Sequence, residues 1–391
     1  MTEDELRRYR LERESRRQSR NARRRRILEV AAALIVLVFV AFNWDKLAPA
    51  SFSASVRSFF GMFASGQFPL SLSGNFKDAV PIGSNVAVLT DSSLTLYTTA
   101  GAQVWQRSHG MSDPALVAAG SRAVLFDRGG KQFRVETRFG ESFSGTTDYP
   151  IVNACVGKSG KFAVVTESGS YLSEVDVYDT TYHSVFKWYS SQGRVLAAAL
   201  SADGKSLAAL TVSAKGGAVT SSVSIFRLGS QKPVASKSFD GTLLFSLQYT
   251  DTGWLAAVGD NQTVFISARG KTGTAYSYAD KTIRCYDNAG GQTALALTAY
   301  GANSQSTLVT FDGSGKVSGQ ADVTGEVQAL HMDGSRLTAL RTSDVWYGTT
   351  RCKQQGTVPV SGDKLEILSK SNFIYVFGLQ AVNRYAVKNG K

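Results

Sequence analysis

Residues 194–210 read RVLAAALSADGKSLAAL, which is two apolar runs joined by a short polar turn. Apolar residues occupy successive positions in each run, so both faces of the two predicted strands should be buried. Between the runs, the Asp203-Gly204 pair can supply the positive backbone φ angle that a tight hairpin turn requires. The stretch therefore predicts an antiparallel pair of inner strands within a stack of sheets.

Similar runs recur from residue 67 onward, about one every 40 residues. Other predicted strands are 85–90, 162–166, 255–258, 294–297 and 373–377. A unit of about 40 residues with four short strands is typical of a β-propeller blade, so we predict an all-β propeller. Eight blades are favoured over seven, with units that begin at Asp78, Pro114, Pro150, Arg194, Thr242, Lys281, Gly325 and Asp363.

The last predicted unit has room for three strands only, at 364–368, 372–377 and 381–387. A three-stranded sheet would leave an unpaired edge where the ring should close. The extended segment Phe68–Ser73 can supply the missing strand if the beginning of the domain pairs with its end. A second irregularity, the Gly-, Ala- and Ser-rich stretch 213–221, is predicted to be a hairpin tip.

An apolar segment at residues 27–44 follows an arginine-rich tail, residues 1–26. Because arginine is retained on the cytoplasmic side of a membrane, this order predicts a bilayer-spanning anchor with a cytoplasmic N-terminus and an exported C-terminal domain. Cleavage of a signal peptide after Ala50 is the alternative, and the long charged tail and Pro49 disfavour it. The predicted membrane-interface residues are Arg23, Arg24, Arg25, Arg26 and Trp44.

An aromatic linker, residues 45–66, separates the anchor from the predicted propeller at 67–391. Its apolar side chains recur at intervals of three and four residues, which predicts an amphipathic helix. That helix can lie on the outer leaflet, on the propeller or on a partner. The residues concerned are Phe52, Val56, Phe59, Phe60 and Phe63.

The net charge of +12 does not indicate a nucleic-acid-binding protein, because about half of it lies in the N-terminal tail, where membrane topology explains it. The three cysteines, Cys155, Cys285 and Cys352, are too few for a disulfide framework. Burial as small apolar side chains explains them. A disulfide between Cys155 and Cys285 is a minor alternative.

Several turns resemble those of known propeller families. Residues 201–208 are similar to the strand-turn-strand of WD40 repeats, and residues 99–105, which end in Trp105, resemble the close of a quinoprotein-type repeat. Residues 312–317 resemble that close more weakly. The Gly-His and Trp-Asp pairs of WD40 repeats are absent, and the quinoprotein tryptophan occurs in one repeat only. No cofactor is therefore expected.

The layout of the whole chain resembles a Gram-positive bacterial family of single-pass membrane proteins, catalogued as a domain of unknown function. The resemblance rests on the arginine-rich tail, the single anchor, the aromatic linker and the segment SGQFPLSLSG at 65–74, followed by a propeller-like remainder. It implies an envelope protein and supplies no site residues.

No catalytic, cofactor-binding or metal-binding residue can be assigned from sequence motifs. The three histidines, His109, His183 and His331, have no cysteine nearby in the sequence, so a zinc site is not indicated. Asp-Gly pairs begin at residues 203, 240, 312 and 333, and they lack the alternating oxygen ligands of a calcium loop. We predict that these pairs form hairpin turns.

An exposed partner surface is predicted at Trp346 and Tyr347, with Arg351 and Lys353 beside them, because polar residues surround this aromatic pair. We expect a non-catalytic scaffold for an envelope protein or a cell-wall polymer.

The alternative is an exported glycan-binding protein, or a glycan hydrolase or lyase that uses the propeller channel. Such an enzyme requires carboxylates that project inward from several blades. A third hypothesis, a sensor that signals through the anchor, would need a partner because the cytoplasmic tail is too short for an output domain. The candidate channel carboxylates are Asp176, Asp251 and Asp287.

Overall fold

The computed structural model describes residues 66–270, 272–288, 291–299, 305–334 and 336–387. These residues belong to a unit that runs from Ser58 to Lys391. The predicted tail, the predicted anchor with its interface residues, and the linker up to residue 65 lie outside the described residues. No helix in the described ranges is long and apolar enough to cross a membrane.

The described strands form eight four-stranded antiparallel sheets. In chain order they are β1 (Leu70–Ser71), β2 (Phe76–Ile82), β3 (Asn85–Thr90), β4 (Ser93–Tyr97), β5 (Gln103–Ser108), β6 (Pro114–Ala119), β7 (Arg122–Asp127), β8 (Gln132–Thr137), β9 (Gly140–Thr146), β10 (Ile151–Val156), β11 (Phe162–Thr166), β12 (Ser173–Tyr178), β13 (Ser184–Ser190), β14 (Arg194–Leu200), β15 (Ser206–Lys215), β16 (Ala218–Arg227), β17 (Ala235–Asp240), β18 (Leu244–Tyr249), β19 (Leu255–Gly259), β20 (Gln262–Ile266), β21 (Thr272–Ser277), β22 (Lys281–Asp287), β23 (Thr293–Ala299), β24 (Gln305–Phe311), β25 (Val317–Thr324), β26 (Val327–Asp333), β27 (Arg336–Arg341), β28 (Asp344–Thr349), β29 (Gln354–Pro359), β30 (Glu366–Lys370), β31 (Phe373–Phe377) and β32 (Ala381–Ala386).

Each sheet is one blade of a propeller, and the prediction of eight blades is confirmed. Blade 1 is β2–β5, and blades 2 to 7 follow in groups of four up to β29. Blade 8 combines β30, β31 and β32 with β1 as its outermost strand. Three predicted unit starts, Pro114, Arg194 and Lys281, are the first residues of β6, β14 and β22. The predicted hairpin tip is also present, because β15 and β16 extend to a turn at Gly216 and Gly217.

The ring closes as predicted. Leu70 of β1 pairs with Val382 of β32, and Ser71 pairs with Ala381. This pairing joins the beginning of the described chain to its end, so blade 8 has no unpaired outer edge at β32.

Apolar layers between neighbouring blades form the core. There is one layer for each of the eight blade pairs, including the pair formed by blades 8 and 1. Inner strands are buried on both faces, as residues 194–210 predicted, and Ala208 and Leu210 are inaccessible to solvent. Outer strands such as β17 and β29 contain only exposed and half-buried residues. The small inner residues let the blades converge, while the larger ones supply the apolar contact that stabilises the ring.

The two faces of the ring follow from strand direction. Successive strands in a blade are antiparallel, so the blade-to-blade connections and the turns between second and third strands lie on one face, which we call the connection face. The remaining turns lie on the opposite face, which we call the hairpin face. The backbone N–H of Gly66 donates a hydrogen bond to Ala100 O (3.1 Å) in a turn of the hairpin face. The chain therefore enters the propeller on that face.

Candidate functional site

The innermost strands of all eight blades surround a central channel with a cavity of about 840 Å³. This volume lies in the range of small-molecule binding sites. The wall residues from blades 1 to 4 are mostly small and apolar, whereas blades 5 to 8 contribute most of the polar ones. The strands β10, β18 and β22 each have a β-bulge near the start, which changes the direction of the side chain that follows it. The residues at these positions are Asn153, Ser246 and Cys285.

Carboxylates come together on one side of the channel. Glu366, at the start of β30, accepts a hydrogen bond from the backbone N–H of Ile367 (2.9 Å) and forms no ion pair within the described residues. Burial raises the pKa of Glu366 to about 7, and the negative charges of Asp78 and Asp287 raise it too. Burial also raises the pKa of Asp78 to about 6. Glu366 of blade 8 thus lies near acidic groups from blades 1 and 6, whose charges raise its pKa.

The carboxylate of Asp287 joins two blades, since it accepts a hydrogen bond from the backbone N–H of Met332 (2.6 Å). His331, the residue before Met332, accepts a hydrogen bond at Nδ1 from the backbone N–H of Ser369 (3.2 Å). Burial lowers the pKa of His331. A neutral imidazole that accepts at Nδ1 carries its proton on Nε2, so this ring can donate one hydrogen bond.

Both lysines of the channel wall have acceptors. Lys158 of blade 3 forms an ion pair with Asp251 of blade 5, with 2.5 Å between Nζ and Oδ1. Lys370 of blade 8 donates a hydrogen bond to the carbonyl oxygen of Gly83 in blade 1 (2.8 Å). Both contacts lie at turns on the hairpin face, where one links blades 8 and 1 and the other links blade 3 to blade 5 past blade 4.

Two hydroxyl groups in the channel wall lack hydrogen-bond partners among the described residues: the Tyr249 hydroxyl and the Ser369 Oγ. Both side chains are more than nine-tenths buried, with relative exposures of 6% and 1%. Burial also raises the pKa of Tyr249, which keeps its hydroxyl neutral. Buried polar atoms normally have a partner, but both oxygens are inaccessible to solvent and Tyr249 packs in the apolar layer between blades 4 and 5, so these hydroxyls lie behind the channel surface.

An aromatic pair completes the wall. Phe245 and Tyr286 pack with ring centroids 5.4 Å apart at an interplanar angle of 47°. Tyr286 remains 38% exposed, which is unusual for a tyrosine on an inner strand of this protein. Its ring is adjacent in sequence to Asp287, so an apolar and π-electron surface lies beside the carboxylates.

A second candidate site lies on the connection face. Tyr149, Tyr171, Leu172 and Tyr189 are 38–48% exposed and belong to the connection between blades 2 and 3 and to blade 3 itself. The rings of Tyr171 and Tyr189 pack with centroids 5.0 Å apart. Exposed aromatic residues are enriched at protein interfaces. We call these four residues the blade-three aromatic patch.

The sequence of residues 71–378 matches a family model described as a family of unknown function (DUF5711). The chain belongs to the DUF5711 family. No curated protein matches this DUF5711 chain in sequence.

Known structures confirm the propeller architecture. The C-terminal WD40 domain of Sif2 aligns with a TM-score of 0.59 at 11% identity, covering 83% of this chain and 100% of that domain. Chaetomium thermophilum Sqt1, bound to the N-terminus of ribosomal protein L10, aligns with a TM-score of 0.54 at 14% identity. The alignment covers 78% of this chain and 94% of the Sqt1 chain. BamB from Moraxella catarrhalis aligns with a TM-score of 0.51 at 14% identity, covering 81% of this chain and 99% of the BamB chain. At these identities the likeness shows the fold alone.

The predicted surface around Trp346 is wrong in its central residue. Trp346 is only 2% exposed, because it packs between blades 6 and 7 with Leu308 and Cys352. Tyr347 is half-buried between blades 7 and 8, while Arg351 and Lys353 are exposed. Polar neighbours in the sequence belong to turns, and they do not expose a side chain whose strand faces the next blade.

The predicted channel carboxylates are found in two different environments. Asp251 and Asp287 line the channel of this DUF5711 protein, as the enzyme hypothesis required. Asp176 does not, since it lies on β12 and forms an ion pair with Lys187 (3.2 Å). Sequence reasoning missed Glu366 and Asp78, because a single acid at the start of an apolar strand resembles an ordinary strand end.

The histidines and cysteines also separate by environment. His109 and His183 lie in turns, where they hydrogen-bond to Met111 N and Thr181 respectively, whereas His331 lines the channel. All three cysteines are free, so the Cys155–Cys285 disulfide is absent. Burial raises the pKa of the Cys155 and Cys285 thiols to about 12, which favours their protonated form.

The Asp-Gly pairs form turns. Gly204, Gly241 and Gly334 have positive φ angles of 64°, 67° and 57°. At 312–315 the positive φ (92°) belongs to Gly315 instead of Gly313. Within the described ranges, no three His, Cys, Asp or Glu side chains form a group that could hold a metal ion.

Proposed function

We propose that this protein is a membrane-anchored, extracytoplasmic scaffold that binds an envelope protein through the blade-three aromatic patch and catalyses no reaction. The observation that carries the proposal is the patch itself. Tyrosine rings supply large contact area with little loss of side-chain freedom, and they carry hydroxyls that remain hydrogen-bonded at a wet interface. A paired Tyr171 and Tyr189 therefore suit a protein partner.

Polar groups at the edge of the patch support a protein interface. Glu167 and Arg194 form an exposed ion pair there (3.5 Å), and Lys187 pairs with Glu174 (3.0 Å). An aromatic centre with a charged rim is the usual anatomy of a specific, reversible protein interface. Sqt1, which shares the fold, is described bound to the N-terminus of a ribosomal protein, so a propeller of this architecture can hold a peptide segment.

Membrane attachment rests on the sequence of residues 1–44, where arginines precede an apolar segment. The chain enters the propeller on the hairpin face, and the patch lies on the connection face. Attachment through the residues before Gly66 would therefore leave the patch on the face opposite to the point of entry, accessible to a partner.

Site-specific photocrosslinking in cells tests the proposal. A photoreactive phenylalanine analogue replaces Tyr171 in the full-length chain, and the same analogue at Phe139 is the matched control. Phe139 is 43% exposed, similar to Tyr171 at 48%, and lies in a turn of the hairpin face. We expect one discrete protein adduct from position 171 and none from position 139.

Tyr189→Ala should reduce the yield of the adduct at position 171 by about tenfold, as expected for an aromatic residue near the centre of an interface. Equal adducts from both positions, no adduct at all, or attachment of position 171 to cell-wall polymer alone would each contradict the proposal. The last outcome would favour a glycan-binding protein.

A further inference from the structure

The two faces of the ring differ in charge. The outer turns of the hairpin face, which join the third and fourth strands of a blade, hold six exposed cations in blades 4 to 7 and one exposed acid, Asp312. In the connection-face turns of the same blades, the exposed charged side chains that the structure describes are all acids, namely Asp240, Asp260, Asp280 and Asp363. We call the six cations the basic arc, and they are Arg227, Lys232, Arg269, Lys316, Arg351 and Lys353.

The charges of the basic arc are not neutralised from within the propeller. None of its side chains forms an ion pair with another described residue, in contrast to Lys158 at the channel mouth, which is paired with Asp251. Like charges on four adjacent blades repel one another, and a partner of opposite charge that spans several blades relieves that repulsion. Because the outer turns lie on one face of the ring, a broad anionic surface can contact several of them at once.

Exposed apolar side chains on the same turns provide a second and independent observation. Val234 of blade 4 is 59% exposed and Val317 of blade 6 is 38% exposed, and each lies within two residues of a lysine of the basic arc. In blade 2, Phe139 is also exposed, with the guanidinium of Arg138 4.5 Å from its ring centroid. Apolar side chains beside cations suit a lipid surface, where the apolar part enters the interface and the cation meets a phosphate.

The chain enters the ring on this same face. The N–H of Gly66 donates a hydrogen bond to Ala100 O in the outer turn of blade 1. In a ring of eight blades, blade 1 lies opposite blade 5, so the entry point and the basic arc occupy opposite sides of the hairpin face. The predicted membrane span ends at residue 44, and a linker of about 20 residues separates it from Gly66. A tether at blade 1 and charged contacts across the ring would together hold the face flat on a bilayer.

We propose that the hairpin face rests on a bilayer that contains anionic phospholipid, with the basic arc on the phosphate headgroups and Val234 and Val317 at the interface. Anionic headgroups attract lysine and arginine held near a membrane surface. The inference rests on the membrane attachment in the proposed function and adds the surface that meets the lipid. It leaves the blade-three aromatic patch on the face that points away from the bilayer. An anionic polymer would match the cations and leave the apolar side chains in water.

Förster transfer in lipid nanodiscs tests the inference with the full-length protein. A fluorescent amino acid replaces Gln231, an exposed residue beside Lys232, or Ser361, an exposed residue of the connection face, and the acceptor is a headgroup-labelled lipid. A strand of six residues spans about 20 Å, so the two positions differ in height by a distance to which transfer is sensitive. The discs contain phosphatidylcholine alone or phosphatidylcholine mixed with phosphatidylglycerol.

We expect transfer from position 231 to be at least twofold higher in the discs with phosphatidylglycerol, and transfer from position 361 to be low in both. Salt at about 1 M should remove the gain at position 231, because the Debye length falls to about 3 Å.

Lys232→Glu combined with Lys316→Glu should reduce the gain at position 231 to less than half. Arg128→Glu combined with Lys131→Glu is the matched control, because both residues are exposed cations in a turn of the connection face. The control changes the net charge by the same amount and should leave the gain unaltered. Circular dichroism establishes that each variant is folded.

Equal transfer from position 231 in the two kinds of disc would overturn the inference and leave an anionic polymer as the candidate ligand of the basic arc. Equal loss in the two double variants, or a larger gain at position 361, would overturn it as well. A chain that does not enter the discs would contradict membrane attachment, and this inference with it. Photocrosslinking at Tyr171 reports on the protein partner separately, so the failures are distinguishable.

Discussion

Leu70 pairs with Val382, and this contact joins the first described strand to the last. Both side chains enter the apolar layer between blades 8 and 1, together with Leu368 and Phe377. The guanidinium of Arg384 lies over the Phe68 ring (4.5 Å) and donates a hydrogen bond to Thr99 O (2.9 Å). Backbone pairing, apolar contact and a cation–π contact therefore all hold the ring closed at a single junction.

Leu70→Ala should lower the free energy of unfolding by about 2 kcal/mol, the low end for a leucine truncation because Leu70 is only half-buried. Urea unfolding of the solubilised full-length chain, followed by tryptophan fluorescence, measures the change. Ser71→Ala on the same short strand is the control, since Ser71 is exposed and its loss should change stability by less than about 0.5 kcal/mol. Equal effects from the two variants would show that closure does not depend on the Leu70 contact.

Gly315→Ala should destabilise the protein by about 3 kcal/mol or more. Gly315 has a φ of 92°, and an added Cβ would lie 2.3 Å from the Phe265 ring of the neighbouring blade. The variant thus combines a strained backbone with overpacking. Gly241→Ala provides the comparison, because Gly241 has a φ of 67° with nothing near its added Cβ, and should lose only about 1 kcal/mol. Thermal unfolding that ranks the two variants equally would contradict the packing argument.

The sequence was sufficient to predict the propeller because its inner strands are apolar on both faces and repeat regularly. Residues 194–210 form the whole of β14, a turn and the first half of β15, as their pattern indicated. The closing strand was predictable for a related reason: the last unit lacked a strand, and Phe68–Ser73 was the extended segment available to complete it. These features depend on local pattern, which a single sequence records.

The sites were less predictable because they depend on which strands meet across the ring. Glu366 and Asp287 are distant in sequence, and only the order of blades 6, 7 and 8 brings their charges together. Tyr171 and Tyr189 become neighbours because β12 pairs with β13. A signal for that patch existed, since Tyr171 and Leu172 occupy a turn where apolar side chains cannot easily be buried.

Trp346→Ala should lower the free energy of unfolding by about 4 kcal/mol, because a buried indole leaves a cavity between blades 6 and 7. Far-UV circular dichroism during urea unfolding measures this without relying on the deleted chromophore. Arg351→Ala, an exposed neighbour, should change stability by less than about 0.5 kcal/mol. A tryptophan at a partner surface would behave in the opposite way, with little change in stability and weaker binding.

The topology expected from the arginine tail can be measured by labelling. Ser361 is exposed, so Ser361→Cys should react with a membrane-impermeant maleimide on intact cells. Ser15→Cys should react only after the cells are opened. Changing Arg23, Arg24, Arg25 and Arg26 to glutamate should reduce labelling at position 361 several-fold, because positive charge next to the apolar segment sets its orientation. Unchanged labelling in that variant would show that other features determine the orientation.

Glu136 is inaccessible to solvent, and neither carboxylate oxygen has a hydrogen-bond partner among the described residues. Its charge partner is Arg134, with 3.7 Å between Oε1 and Nε. Burial raises the pKa of Glu136 from 4.5 to about 7, and Arg134 only partly opposes this effect. The folded chain therefore holds the proton more tightly than the unfolded chain, and this group makes stability fall as the pH rises from about 4.5 to about 7.

Glu136→Gln should remove that dependence, since the amide has no charge to bury. We expect the variant and the parent to be similarly stable at pH 4.5, and the variant to be more stable at pH 8, by up to about 3 kcal/mol. Urea unfolding at pH 4.5, 6 and 8 measures the difference, in which the contributions of Asp78 and Glu366 cancel because both proteins retain them. Glu167→Gln removes one partner of an exposed ion pair, and its free energy of unfolding should vary with pH in the same way as that of the parent. If the free energy of unfolding of Glu136→Gln also varied with pH as the parent's does, Arg134 would be keeping Glu136 ionised from pH 4.5 to pH 8.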